Sequence, residues 1–131
     1  METYVPPTEQ LVAEIVVRNI RASTRFYSQL GFRLLRAESD FVELLWEEHR
    51  LFLVERSAFP DVEPAMWGTP PVFPCANIRV MVSDVDDYWR RAGEIGARAV
   101  QSIGDRAYGL RDFTIVDLDG FGIRFASRLP E

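Results

Sequence analysis

The sequence VRNI at residues 17–20, followed by LG at residues 30–31, occurs a second time as VSDV at residues 82–85 and IG at residues 95–96. The two copies align without a gap, because every residue number in the second copy is that of the first plus 65. Self-similarity at a fixed spacing indicates a repeated structural unit. The chain is therefore predicted to contain two similar modules.

Each copy is typical of a strand, a capped helix and a glycine that ends the helix. Asn19 and Asp84 have short side chains that accept hydrogen bonds from the free N–H groups at a helix start. Gly31 and Gly96 suit the left-handed residue that follows a helix end. The predicted helices run from about residue 20 to 30 and from about residue 85 to 95.

Three β-type segments follow each helix. They lie at residues 32–36, 41–46 and 51–55 in the first copy, and at residues 99–102, 113–116 and 122–127 in the second. Residues 47–50 are predicted to form the turn before the segment at 51–55, and Gly120 ends the tight turn before the last strand. The predicted order of elements is therefore β-α-β-β-β, twice.

This order predicts an α+β fold in which two β-α-β-β-β modules form curled mixed sheets around a concave cleft. The helices should cover the outer faces, because one helix cannot cover both faces of a four-stranded sheet. Alternation along the strands places Ile15 and Val80 under the helices, and Glu14 and Arg79 on the opposite sides. We expect a single domain, residues 1–131, with module one at about 11–56, a linker at 57–74 that holds five of the eight prolines, and module two at about 75–127.

The composition argues against several classes of protein. A net charge of −5, with no dense basic patch, argues against nucleic acid as a partner. No apolar run approaches the roughly 20 residues that span a membrane, and the first residues lack the pattern of a signal peptide. Cys75 is the only cysteine, so an intramolecular disulfide is impossible, and the cytoplasm is the expected compartment.

Two stretches resemble the vicinal-oxygen-chelate superfamily of glyoxalases, bleomycin-resistance proteins and dioxygenases. Residues 17–32, VRNIRASTRFYSQLGF, resemble its opening, in which a strand ends in Val-x-Asp-Leu and is followed by Ser-x-x-Phe-Tyr and Leu-Gly-Phe. Residues 117–123, DLDGFGI, resemble its closing turn, Asp-Pro-Asp-Gly-Asn. The resemblance extends from about Leu11 to Ser127 and implies the two-module fold described above.

Metal-dependent members of this superfamily take one ligand from each of four strands, and the resemblance assigns these positions to Val12, Phe52, Asn77 and Arg124. Valine and phenylalanine side chains offer no lone pair, and arginine carries a fixed positive charge that repels a cation. A divalent ion needs at least three nitrogen, oxygen or sulfur ligands in one geometry. We therefore expect no metal and no cofactor.

Within the superfamily, the sequence is most similar to the metal-free bleomycin-resistance proteins. LFL at residues 51–53 resembles their Leu-Phe-Ile-type sequence. YGLRDF at residues 108–113 resembles their Trp-Gly-x-Arg-x-Phe-like stretch, with Tyr108 in place of tryptophan. Those proteins sequester a large drug in grooves between two subunits and break no bond. The resemblance thus implies that the protein is a homodimer and that it binds a small-molecule ligand.

Aromatic and arginine side chains are the candidate ligand-binding groups, because aromatic rings stack on planar ligands and arginine binds anions through two parallel hydrogen bonds. For Trp46 and Phe113, a place in the core is an equal alternative. For Arg79 and Arg124 the alternative is an internal salt bridge, with Glu14 as the nearest candidate partner. The full candidate set is Trp46, Phe52, Trp67, Asn77, Arg79, Tyr108, Phe113 and Arg124.

Two classes of function remain open at this point. The first is a metal-free small-molecule-binding protein that sequesters an antibiotic or another planar organic ligand. The alternative is a metal-independent enzyme of the same fold, lyase- or isomerase-like, in which Glu14 would be the general base. The sequence favours the binding protein over the enzyme.

Overall fold

The computed structural model describes residues 5–131 and divides the chain into two compact units. The first unit ends at Trp67 and the second begins at Gly68. Each unit consists of one four-stranded mixed sheet with a helix packed against one of its faces.

The first unit contains four strands in the order β1-β4-β3-β2. Strand β1 is parallel to β4, and the other neighbouring pairs are antiparallel. Short 3-10 turns lie at Pro7–Glu9 and Arg56–Ala58. The elements are β1 (Ala13–Val17), α1 (Ile20–Leu30), β2 (Arg33–Ala37), β3 (Phe41–Trp46), β4 (His49–Glu55) and α2 (Pro64–Trp67).

The second unit repeats this arrangement, with the strand order β5-β8-β7-β6. Strand β5 is parallel to β8, whereas β6, β7 and β8 form an antiparallel meander. Its elements are β5 (Asn77–Met81), α3 (Val85–Glu94), β6 (Arg98–Asp105), β7 (Leu110–Val116) and β8 (Gly122–Arg128). The predicted α+β fold with two β-α-β-β-β modules is confirmed.

The predicted caps hold both long helices in place. Asn19 accepts a hydrogen bond from the Ala22 N–H at 3.1 Å, and Asp84 accepts one from the Asp87 N–H at 3.4 Å. Gly31 follows α1 with φ of 115°, in the left-handed region. Helix α1 spans the predicted residues, and α3 ends at Glu94, one residue before its predicted end.

A second cap reaches each helix from the last strand of its unit. The Glu55 carboxylate at the end of β4 accepts a hydrogen bond from the Ile20 N–H at 3.1 Å. The Ser127 hydroxyl in β8 accepts from the Val85 N–H at 2.9 Å and donates to the Val82 carbonyl at 2.8 Å. Local sequence patterns do not predict these contacts, since 35 and 42 residues separate Glu55 and Ser127 from the helix residues that they cap.

The core of each unit lies between the helix and one face of the sheet. In the second unit, Phe113 is wholly buried, with ring centroids 5.1 Å from Trp89 on α3 and 5.5 Å from Phe125 on β8. Ile15 and Val80 are also buried, as the alternation predicted. The main buried side chains of the first unit are Val17, Phe26, Tyr27, Leu30, Phe32, Val42, Leu44, Leu51 and Leu53.

Several strands extend beyond their predicted ends. Strand β7 begins at Leu110, three residues before its predicted start, and β6 covers Arg98–Asp105 instead of the predicted residues 99–102. Strand β4 begins at His49, which leaves only Glu47 and Glu48 in the turn after β3. Glu47 has φ of 53° and is the only described residue other than glycine with a positive φ.

The closing turn before β8 has the predicted glycine conformation. Gly120 has φ of 90°, and Asp117 accepts hydrogen bonds from the N–H groups of Asp119 and Phe121 at 2.9 and 2.8 Å. A Cβ at Gly120 would lie 2.6 Å from the Cβ of Pro70, so this turn also requires glycine for close packing. Among the described residues, no helix has the length and apolar character needed to cross a membrane.

Candidate ligand-binding site

An aromatic pair lies on the face of the first sheet that α1 does not cover. Leu51 and Leu53 of β4 point into the core, so Phe52 between them points to the opposite face. Phe52 is half-buried and meets the half-buried Phe41 of β3 edge to face, with ring centroids 5.1 Å apart. Glu14 of β1 pairs with Phe52 in the sheet and is exposed. The pair contributes apolar ring surface to a face that carries both apolar and charged side chains.

Charged side chains that pair with one another border these rings. Glu43 of β3 forms salt bridges with Arg50 and, at 3.5 Å, with Arg36. Arg50 also binds Glu9 at 2.7 Å. The Arg36 guanidinium lies 5.1 Å from the centroid of the Phe41 ring, within cation–π range. This network fixes the edge of the aromatic surface.

A buried carboxylate organises the helix-free face of the second sheet. Asp112 of β7 is 0% exposed and points away from the core that holds its neighbour Phe113. It accepts hydrogen bonds from Arg106 Nε at 2.8 Å, from the Tyr108 hydroxyl at 2.7 Å and from Arg124 Nε at 3.1 Å. Arg124 Nη2 donates to Asp112 as well, and to the Tyr108 oxygen at 2.6 Å. One carboxylate therefore holds two guanidinium groups and a phenol.

These contacts shift two pKa values in opposite directions. Burial raises the pKa of Asp112, but hydrogen bonds from Arg106, Tyr108 and Arg124 outweigh burial and hold it below its usual value. The hydrogen bond to Asp112, together with desolvation, raises the pKa of Tyr108. At neutral pH the cluster therefore contains an ionised Asp112 and a neutral Tyr108.

Tyr108 lies in the turn between β6 and β7, where its ring is accessible. The side chain is 59% exposed, and its centroid is 5.2 Å from the Arg124 guanidinium. A cleft of about 510 Å³ opens beside it, lined by residues 106–110 and 128–131.

Arg79 and Asn77 of β5 lie on the same face as Arg124. Arg79 is paired in register with Arg124 of β8, and Asn77 is paired with Gly122. Both β5 side chains are exposed. Within residues 5–131, Arg79 forms no ion pair. The structure thus brings Asn77, Arg79, Tyr108 and Arg124 of the candidate set to one side of the second sheet.

The other candidate aromatic residues lie elsewhere. Trp46 shares the helix-covered side of β3 with Val42 and Leu44, and its ring centroid lies 5.1 Å from that of Phe32. Of the two alternatives left open for Trp46 and Phe113, the structure places both residues on the core side of their sheets. Trp67 ends α2 and packs on Phe59 and Arg56 in the first unit.

Of the two alternatives left open for Arg124, a free guanidinium and an internal salt bridge, the structure shows a salt bridge, with Asp112 rather than the candidate partner Glu14. Asp112 was not among the predicted site residues, because the predicted strand began at Phe113, one residue too late to include the carboxylate. Phe41 and Arg106 were likewise not predicted as neighbours of the candidate residues. The alternation that put Phe113 on one face would have put Asp112 on the other, had the strand been extended.

The residues that the resemblance assigns to the superfamily's metal-ligand positions do not fit a divalent metal. Val12 and Phe52 offer no donor atom, and Arg124 is a cation whose guanidinium is bound to Asp112. Asn77 alone could supply an oxygen. Nowhere in residues 5–131 do three His, Cys, Asp or Glu side chains come together in a group that could hold a metal ion.

Known proteins resemble this chain in sequence and in fold. A bleomycin resistance protein from Geobacillus stearothermophilus is 27% identical over 128 residues, covering 92% of this chain and 97% of that protein. The structure of TioX from a Micromonospora species is 26% identical, with a TM-score of 0.70, and the match covers 91% of this chain and 98% of TioX. A hypothetical protein from Staphylococcus aureus shares the fold, with a TM-score of 0.76 at 24% identity over 91% of this chain and 93% of that one.

The family model described as Glyoxalase/Bleomycin resistance protein/Dioxygenase superfamily matches residues 10–125. This span contains the caps Asn19 and Asp84, residues of all eight strands and the Asp112 cluster. The chain therefore belongs to the glyoxalase/bleomycin resistance protein/dioxygenase superfamily.

Proposed function

We propose that this protein binds and sequesters a planar organic molecule, such as an antibiotic, without a metal and without a covalent step. The observation that carries the proposal is the half-buried pair of Phe41 and Phe52 on the helix-free face of the first sheet. The family resemblance assigns Phe52 to a position at which metal-dependent members of the superfamily place a metal-binding side chain. The similarity to proteins named for bleomycin resistance supports a sequestering role.

Aromatic side chains on an accessible face favour ligands with ring systems. A ligand ring that stacks on Phe52 gains about 0.5–1.5 kcal/mol beyond the burial of apolar area. The edge-to-face contact with Phe41 fixes the orientation of Phe52, so little side-chain entropy is lost on binding. The Phe52 ring is therefore preorganised for stacking on a ligand.

The arrangement of carboxylates favours binding over catalysis. Glu43 and Asp112 are both neutralised by arginines, so neither is free to take a proton from a substrate. Glu14, the base in the alternative of a metal-independent enzyme, is exposed on β1. No contact among the described residues favours that alternative.

A thermal-shift screen of planar antibiotics, bleomycin included, tests the proposal. A ligand that prefers the folded protein raises its melting temperature. The best hit is then titrated calorimetrically against Phe52→Leu, which removes the ring and keeps an apolar side chain. We expect about five- to tenfold weaker binding, the scale of one aromatic contact.

Trp46→Leu is the matched control, because it removes a ring from the helix-covered side of the same sheet. Its affinity for the hit should stay within about twofold of wild type. A screen without any stabilising ligand would end the proposal, and so would a Phe52→Leu variant that binds as tightly as wild type. Elemental analysis finding one equivalent of a transition metal per chain, with binding abolished by a chelator, would refute its metal-free part.

A further inference from the structure

Two arginines lie side by side on the helix-free face of the second sheet. Arg79 and Arg124 occupy paired positions on the parallel strands β5 and β8, so their side chains leave the sheet in the same direction. Like charges at neighbouring positions of a sheet repel each other. A negative charge close to both guanidinium groups would offset this repulsion.

The protein itself supplies too little negative charge there. Asp112 is shared between Arg106 and Arg124, so one carboxylate faces two guanidinium groups before Arg79 is counted. Arg79 forms no ion pair with any other residue in the range 5–131. The face keeps this excess positive charge although the whole chain has a net charge of −5.

Arg124 is held in one orientation and still has a donor to offer. Its Nε and Nη2 atoms bind Asp112 and Tyr108, and the Tyr108 ring packs against its guanidinium. Its Nη1 atom makes no hydrogen bond within the described part of the chain. A guanidinium fixed by a buried carboxylate loses little entropy when it binds a further anion.

Small residues flank Arg124 on its own face of β8. Gly122 and Ala126 precede and follow it on the same face of β8. A Cβ at Gly122 would lie 2.7 Å from the Asn77 Cβ, so β5 can approach β8 only because residue 122 is glycine. The Asn77 amide then stands beside the two arginines as a further donor.

We infer that Arg79 and Arg124 bind an oxyanion group, a carboxylate or a phosphonate, on a small organic ligand. This inference rests on the proposed binding function and adds the charge of the ligand to it. Arginine presents parallel N–H donors that match the oxygens of a carboxylate or phosphonate. The exposed Arg79 supplies one fork, and the remaining Nη1 donor of Arg124 supplies the second contact.

Calorimetric titrations with benzoate, phenylphosphonate and neutral benzamide test the inference. All three probes contain one benzene ring, so they differ only in the substituent on that ring. The substituent is anionic in benzoate and phenylphosphonate and neutral in benzamide. We expect at least one of the two anions to bind about tenfold or more tightly than benzamide. Tighter binding of benzoate would identify a planar carboxylate as the preferred group, and tighter binding of phenylphosphonate a tetrahedral one. Added salt should weaken binding of either anion.

Arg79→Met removes the exposed guanidinium and keeps an unbranched side chain. It should weaken binding of the preferred anion by about tenfold or more and leave benzamide unaffected. Arg25→Met, on the exposed side of α1, changes the net charge equally and should retain the wild-type affinity.

Three results would each overturn the inference: benzamide binding as tightly as the anions, full affinity in Arg79→Met, or no detectable anion binding at millimolar concentrations. The outcome is distinct from that of the antibiotic screen. If the screen finds neutral planar ligands that depend on Phe52 and no anion binds, the sequestering function is supported and the anion site is refuted. If anions bind through Arg79 and the screen finds no ligand, the anion site is supported and the sequestering function is refuted.

Discussion

Replacing Arg124 with methionine should destabilise the fold, because it removes a partner from a carboxylate that has no access to water. Asp112 is 0% exposed, and the Arg124 side chain is 23% exposed. Removing one partner of a fully buried ion pair costs about 3–5 kcal/mol. Arg106 and Tyr108 remain bound to Asp112, and Arg124 is partly screened by solvent. We therefore expect Arg124→Met to lower the free energy of unfolding by about 2–3 kcal/mol, the range of one charge-assisted contact.

The pH dependence of this loss identifies its cause. The folded-state pKa of Asp112 is below the value of about 3.9 expected for an unfolded aspartate. A lowered carboxyl pKa stabilises the fold above the unfolded pKa, and that stabilisation is lost as the pH falls through the folded pKa. The difference between wild type and Arg124→Met should therefore be largest at neutral pH and shrink below about pH 4.

Urea denaturation from neutral to acidic pH measures both effects. Arg25→Met serves as the control for loss of one positive charge and should remain near wild-type stability. In the double variant Asp112→Asn/Arg124→Met, the cost of the second substitution should be smaller, because no buried charge is left unpaired. Full stability of Arg124→Met at neutral pH, or the same penalty in acid, would show that Asp112 does not depend on Arg124.

Three further outcomes are expected. Ser127→Ala removes the hydroxyl that caps α3 and should cost about 1–2 kcal/mol in urea denaturation, whereas the exposed Ser83→Ala should cost little. Glu47→Gly relieves a positive φ and should raise stability by about 1 kcal/mol, whereas Glu48→Gly in the same turn should lower it; equal effects would contradict this account. Light scattering at micromolar concentration should give twice the chain mass, as the homodimer implied by the family resemblance requires, and a monomer mass would exclude it.

The repeat allowed most of the fold to be predicted from the sequence. Asn19 and Gly31 define a helix by local chemistry alone, since a cap side chain and a left-handed glycine need no distant partner. The same holds for Asp84 at the start of α3. The alternation on β1 and β5 identified the core faces because a strand exposes every second residue to the same side.

The extended parts of the strands could not be predicted in this way. Leu110, Arg111 and Asp112 lack a continuous apolar pattern and become strand residues only through pairing with β8. This is why Asp112, the residue that holds Arg124, was missed and Glu14 was named instead. Trp46 and Phe113 were left between core and pocket because their residue type suits both, and only the register decides which side of the sheet they occupy.

The caps that arrive from the last strands have a consequence for the order of folding. The N–H group of Val85 finds its partner only when β8 has docked beside β5, which closes a loop of 42 residues. The meander of β6, β7 and β8 pairs only strands that are consecutive in sequence, so its loops are short. We expect the meander to be formed already in the folding transition state, and β8 to pair with β5 afterwards. Stopped-flow kinetics of Ser127→Ala should accordingly show faster unfolding with a nearly unchanged folding rate, a φ-value near zero. The start of α3 would then be the last part of the second unit to become rigid.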